Sequence, residues 1–174
     1  MNLLLRTLNS EDKTQFKEDM QEAFQYGFEV EYGKSEQMIL LDEDIEQSLN
    51  TRGAIAYTAI LNRVIVGGAV VVIDEETKEN HLDFLYVKVG CQSKGVGQAI
   101  WNAIEEKHPD TIVWKTCTPY FEKRNIHFYV NRCGFHIVEF FNPWHKNPRI
   151  QEKSVGGMPD EAGDYFFEFE KVMK

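Results

Sequence analysis

A chain of 174 residues with 43% hydrophobic and 13% aromatic side chains can bury the core of one domain and does not have the make-up of a disordered tail. Its 28 acidic residues against 19 basic ones leave a formal charge of −9, which argues against nucleic-acid binding, where affinity comes from Lys and Arg displacing counterions. The longest strongly apolar stretch, residues 64–73, contains Gly67 and Gly68 and is far too short to span a bilayer.

Leu3 to Leu8 reads as a short strand. Asn9-Ser10 then supplies N-cap chemistry, and Phe16, Met20, Ala23 and Phe24 recur at helical spacing, predicting an amphipathic helix to about Tyr26. A looser stretch runs through Tyr32, followed by a second helical segment over about 36–49. Residues 54–61 form a strand, Asn62-Arg63 a tight turn and 64–73 the hairpin partner, in which Gly67-Gly68 marks a bulge or a close backbone approach. His81 to Val89 is another strand, with Leu82, Phe84 and Tyr86 on one face and Asp83, Leu85 and Val87 on the other. A glycine-containing turn leads into a helix carrying Val96, Ile100, Ala103 and Ile104 on one side and stopped by Pro109-Asp110. Thr111 to Cys117 is a strand, Phe121 to Arg132 a helix ended by Cys133-Gly134, and Phe135 to Phe141 a strand. Residues 142–164 hold Pro143, Pro148 and Pro159 and form a long loop, after which Tyr165 to Lys171 alternates into a last strand. The order β-α-α-β-β-β-α-β-α-β-β predicts a single mixed α/β domain over residues 1–174.

Two segments carry chemistry. In Leu85 to Gly97 a strand runs into a turn with glycines at 90, 95 and 97, and a helix starts directly behind it. Successive backbone N–H groups at a helix N-terminus make an anion site, and glycines let a phosphate come close. Lys94 adds a point charge. The segment lacks the Gly-Lys-Ser/Thr of a P-loop, and Gly95-Val96-Gly97 supplies only two of the three glycines of a dinucleotide fingerprint. The second segment is the helix over 121–132, where Asn125 and Tyr129 are four apart and share a face. A polar amide and a phenol there can orient and protonate a leaving group; the competing reading is a packing tyrosine beside a surface amide.

Gln92-Ser93-Lys94-Gly95-Val96-Gly97 resembles the Q/R-x-x-G-x-G/A signature of the GNAT superfamily of acyl-CoA-dependent N-acetyltransferases. Leu85-Tyr86-Val87 is similar to that family's fourth strand, and Asn125 to Phe135 to its Asn-x-x-x-Tyr-x-x-x-Gly-Phe stretch. The resemblance implies a mixed, largely antiparallel sheet, flanked by helices and splayed between strands 4 and 5, with acetyl-CoA in the splay. It implies that backbone groups of Gln92, Ser93, Lys94, Gly95, Val96 and Gly97 hold the pyrophosphate. Leu85, Tyr86 and Val87 would pair with the pantetheine arm, the Val87 N–H polarising the thioester carbonyl. Asn125 would bind the cofactor arm and Tyr129 protonate the departing thiolate. The reaction would be direct acetyl transfer to a primary amine, without a metal. An oxyanion donor and an acid near the sulfur are what such a transfer needs.

The chain departs from the family pattern in places. Val89 stands where a proline is usual, and Gln92 where an arginine is. His81 stands where many members have a glutamate base. His81 and Asp83 alternate onto one strand face, so either side chain, or a water, can take the amine's proton. Cys117 offers an acyl-Cys route, against which a buried structural thiol is the simpler reading. Cys133, His136, His127 and His145 lack a second ligand pair for a metal site. Glu22, Glu29, Glu31, Tyr26, Phe28 and Tyr32 fall where the resemblance places the acceptor pocket, and suit a cationic amine or an ordinary solvated helix face. The loop 142–164, with Trp144, His145 and Arg149, reads as a lid, a dimer contact or disorder, and aromatics near the C-terminus fit a homodimer. The start of the chain lacks signal-peptide character, and Cys91, Cys117 and Cys133, without a CxxC, suit reduced thiols in the cytoplasm. Two other classes remain: a CoA-binding sensor or scaffold without turnover, and a different nucleotide-phosphate enzyme using the same turn.

Overall fold

The computed structural model describes residues 1–92, 95–148 and 165–174. The elements in chain order are β1 (Leu3–Thr7), α1 (Lys13–Tyr32), α2 (Asp42–Leu49), β2 (Ala54–Leu61), β3 (Val64–Val72), β4 (Glu79–Val87), α3 (Val96–Lys107), β5 (Val113–Pro119), α4 (Lys123–His127), β6 (His136–Phe141) and β7 (Phe166–Val172). The sequence anticipates this order and misplaces several boundaries. Helix α1 continues to Tyr32 instead of stopping near Tyr26, because Phe28 and Tyr32 pack on Phe121 with ring centroids 5.7 and 5.9 Å away. Gly33, at φ 88°, ends it. The second helix begins at Asp42, not near 36. Gln21 and Gln25 of α1 hold the stretch before it through hydrogen bonds to Leu40 O, Gln37 O and the Ile39 N–H.

All strands form one sheet in the order β1-β2-β3-β4-β5-β7-β6, antiparallel except for β4 beside β5. Asn62 and Arg63 both take positive φ, the two-residue turn whose twist suits a β2–β3 hairpin. One face carries a core of Ile100, Trp101 and Ile104 from α3 with Leu82, Trp114, Phe135 and Phe169. The other face carries Phe16, Met20 and Ala23 of α1 and Ile45 of α2 against Val70 and Tyr86. Gly67 and Gly68 allow both layers to approach. A Cβ on Gly67 would meet Tyr86 O and the Ile100 side chain, and one on Gly68 would lie 2.6 Å from the Phe16 ring and 2.7 Å from Tyr57 O.

Strand β4 does not keep the simple alternation that its sequence suggests. Val71 pairs with Leu82 and Val70 with Phe84, so Asp83 is an extra residue, a β-bulge. Leu82 therefore joins the α3-side core, whereas Phe84 and Tyr86 pack on the α1 side. Leu82 and Phe84 do not share a face.

The parallel pairing of β4 and β5 is short: Glu79 with Val113, Asn80 with Trp114 and His81 with Lys115. Buried Asn80 locks that end, its amide donating to Thr111 Oγ1 at 2.7 Å and its carbonyl accepting from the Asp74 N–H at 2.9 Å. At the next step a side chain replaces the ladder, and the Thr116 hydroxyl donates to Leu82 O at 2.9 Å. Beyond it the two strands part. Thr116 is 1% exposed, so Thr116→Val leaves Leu82 O without this donor in the interior. We expect a cost of about 1–3 kcal/mol, read as a lower urea midpoint at unchanged m-value.

Candidate active site

The parting of β4 and β5 creates a cleft of about 560 Å³. The Lys88 N–H donates to Val66 O on β3 at 2.8 Å. Neighbouring residues of a strand point their backbone groups to opposite edges, so Val87 and, two residues back, Leu85 present theirs to the open side. Among the described residues no strand pairs with that edge beyond His81. The cleft is lined by Ala23, Phe24 and Gly27 of α1, Leu85, Tyr86 and Val87 of β4, Gln92 and Gly97 of the turn and α3, and Glu122, Arg124, Asn125, Phe128 and Tyr129 beyond β5.

Helix α3 aims its N-terminus toward this region with its first turn uncommitted. Gly95 is the N-cap at φ 92°, no side chain among the described residues caps the helix, and its first turn holds no acidic residue. N–H groups there are free for an anion. A Cβ on Gly97 would lie 3.3 Å from the Phe128 ring and 3.6 Å from Val87 Cγ2, so glycine keeps α3 against the cleft wall. Val96 buries its side chain in the core and offers only its backbone. Ser93 and Lys94 lie outside the described residues.

Asn125 and Tyr129 both reach the cleft, though not from one regular helix over 121–132. Four residues separate Tyr129 from Gly134, one more than in the family stretch that this segment resembles. The chain takes up the additional residue as a π turn at Phe128–Arg132, closed by the Cys133 N–H on Phe128 O at 3.0 Å. Tyr129 is 8% exposed, packs edge-on against Phe135 and lies beside the Thr116 side chain. Burial, with lesser contributions from Cys133, Cys117 and Glu122, raises the phenol well above its ordinary range. Tyr129 is therefore a protonated acid at neutral pH, placed where β4 and β5 separate.

His81 and Asp83 do meet on one face, with Nδ1 of His81 2.7 Å from Asp83 Oδ1. Ser48 of α2 donates to the other carboxylate oxygen at 2.5 Å. The pair belongs to the α1–α2 side and does not line the cleft. A carboxylate that the sequence reading passed over, Glu122, does. Burial first, then the negative charge of Glu31, push it up to about 7, against a smaller lowering by Arg124. The polar run Glu122-Lys123-Arg124-Asn125 gives no periodicity that would single it out.

Other candidates separate clearly. Glu29 is occupied by the Ser35 N–H and Gln25, which lower its pKa, so it braces the end of α1. Phe28 and Tyr32 surround Phe121, and the Tyr32 hydroxyl donates to Phe121 O. His145 lies on Phe141 and 2.9 Å from Glu139, while Trp144 is 85% exposed. Arg149 and the loop from 149 to 164 lie outside the described residues. Among the described residues no three His, Cys, Asp or Glu side chains converge as metal ligands, and no helix is long and apolar enough to cross a membrane.

The profile of the acetyltransferase (GNAT) family matches residues 14–135. The chain belongs to that family. It is 43% identical, over 99% of its length and 94% of the relative's, to a Bacillus subtilis protein described as uncharacterized protein YrkN. The fold matches a Bacillus subtilis acetyltransferase solved in complex with CoA (TM-score 0.66, 17% identity, 99% and 100% of the two chains). It also matches a GNAT acetyltransferase from Elizabethkingia anophelis with acetyl-CoA bound (TM-score 0.68, 14% identity, 99% of each chain).

Burial pushes the Cys117 thiol up to about 12, so it carries almost no thiolate at neutral pH. Cys117→Ala should retain acetyl transfer within about threefold, since an unionised thiol is a poor nucleophile. No acetylated Cys117 should be found by mass spectrometry after quenching with acetyl-CoA alone.

Proposed function

We propose that this GNAT protein transfers an acetyl group from acetyl-CoA to a primary amine of a small molecule or peptide, directly and without an acyl-enzyme. The observation that carries the reading is the open edge of β4 beside an acid. Leu85 and Val87 turn unpaired backbone groups into the cleft that Tyr129 reaches. The residues present fit the cosubstrate. A peptide-like pantetheine arm would complete the half-ladder on β4, and the uncapped start of α3 suits a pyrophosphate. CoA and acetyl-CoA in the two solved relatives support that choice.

In this reading the Val87 N–H stabilises the charge developing on the thioester oxygen, Asn125 holds the cofactor arm and Tyr129 protonates the leaving thiolate. Of the bases suggested by sequence, His81 is the one with an uncommitted ring nitrogen, Nε2, oriented by Asp83 through Nδ1. The acceptor is a free amine, and the reduced thiols Cys91, Cys117 and Cys133 suit a cytoplasmic enzyme.

Thermal unfolding with desulfo-CoA, ATP and NAD in parallel tests the cosubstrate. Desulfo-CoA at 100 times Kd should add about 2.7 kcal/mol, roughly 5–11 °C for a domain of this size. A rise with ATP or NAD alone would assign the turn to another nucleotide. CoA-dependent stabilisation without thiol release from any primary amine would make the protein a sensor. Tyr129→Phe should lower kcat by about 10- to 10⁴-fold while desulfo-CoA affinity stays within threefold; an unchanged kcat would remove Tyr129 as the acid. Gly95→Asp places a side chain and a negative charge at a φ of 92° beside the uncapped helix start. It should weaken desulfo-CoA binding by about 100-fold or more, equivalent to roughly 2.7 kcal/mol.

A further inference from the structure

We propose that Glu122, rather than the His81–Asp83 pair, is the base that receives the proton from the acceptor amine; the inference rests on the acetyltransferase reading above. Glu122 is the N-cap residue of α4, fixed by a turn in which its N–H donates to Pro119 O at 3.1 Å and its carbonyl accepts from the Ile126 N–H at 3.0 Å. This places it on the lining of the cleft with Asn125 and Tyr129, which Gly27 of α1 also lines. Among the described residues nothing lies within 4 Å of where a Cβ on Gly27 would be, so none of them blocks the approach from α1.

The carboxylate has neither a hydrogen-bond nor an ion-pair partner among the described residues, whereas Asp83 is engaged by both Ser48 and His81. The charged and titratable groups that sense Glu122 are Glu31 and Tyr32 of α1, Arg124 of α4, and Tyr129. Three of these four leave its charge uncompensated, and Arg124 offsets it only in part. Tyr129 in turn holds its proton more tightly because of Glu122. Two groups in one cleft are thus set apart, Tyr129 as the proton donor and Glu122 as an acceptor that ionises near pH 7.

The step balances. A neutral amine enters, and its lone pair forms the C–N bond while the C–S bond breaks and its electron pair leaves on sulfur. Glu122 takes the proton from nitrogen and Tyr129 gives one to the thiolate. Glu122 then returns its proton to the Tyr129 phenolate through solvent. The products are the amide and CoA thiol.

The test is the pH dependence of acetyl transfer by the wild type, Glu122→Gln and Glu122→Asp, with n-butylamine, spermidine, L-lysine and a lysine peptide as acceptors. CoA release is followed. For the wild type, kcat at saturating amine should rise with pH through about 7, because the base works only when ionised. Glu122→Gln should lose 10²- to 10⁴-fold in kcat together with that limb, with desulfo-CoA affinity within threefold, and Glu122→Asp should recover part of the rate and the limb. A second readout needs no turnover. A carboxyl raised from its ordinary value of 4.5 to about 7 makes the fold lose stability as pH rises across that window. Glu122→Gln should therefore raise Tm at pH 8 and leave it unchanged at pH 4.

Wild-type turnover with kcat of Glu122→Gln within twofold would overturn the assignment and leave the acetyltransferase reading standing. So would a pH limb that persists in Glu122→Gln and vanishes in His81→Gln. No thiol release by the wild type with any of the amines would overturn the catalytic reading itself, and the role of Glu122 with it.

Discussion

Everything at the candidate site depends on how briefly β4 and β5 are joined. Three parallel pairs hold the strands together and then stop. A closed sheet would spend the backbone groups of Leu85 and Val87 on a neighbouring strand. An open sheet without a lock would leave the wedge to collapse. Asn80 with Thr111 fastens one end, and the Thr116 hydroxyl on Leu82 O marks the point of separation. Tyr129 lies beside that same threonine, so its phenol sits where the strands part.

The two layers of helix play different parts around the opening. Helix α3 contributes an N-terminus that no side chain among the described residues caps, brought close by the missing side chain of Gly97. Helix α1 forms the opposite wall and is tied into place at several points. Lys17 bridges to Asp42 and Glu46 of α2, and buried Asp19 lies 3.6 Å from Lys88 at the end of β4. At its far end the Phe28, Tyr32 and Phe121 rings join α1 to the segment that carries Glu122. In the proposed reading the cleft wall toward the acceptor is thus aromatic and acidic, and the half toward the pyrophosphate consists of backbone.

Much of this was legible in the sequence, for identifiable reasons. The near-continuous apolar runs over 54–61 and 64–72 and the Asn62-Arg63 pair between them specify a hairpin through local chemistry alone, and the glycines at 95 and 97 mark a strand-to-helix turn. What escaped was non-local or irregular. The bulge at Asp83 breaks alternation without a proline or glycine to announce it. Phe28 and Tyr32 become helical through contacts with Phe121, some 90 residues away. The π turn at Phe128–Arg132 needed a count of the residues between Tyr129 and Gly134 to be noticed. Glu122 is unremarkable as a letter at the head of a polar run, and becomes distinct only when the fold removes it from water beside Glu31.

Amide hydrogen exchange along β4, read by NMR with and without desulfo-CoA, tests the central claim most directly. In the free protein the Leu85 and Val87 amides should exchange far faster than those of Tyr86 and Lys88, which face β3. Adding desulfo-CoA should slow exchange at Val87 strongly and leave Tyr86 and Lys88 almost unchanged. Equal protection of all four amides in the free protein, or binding of desulfo-CoA that leaves Val87 exchange untouched, would contradict the view that the open edge of β4 receives the cosubstrate.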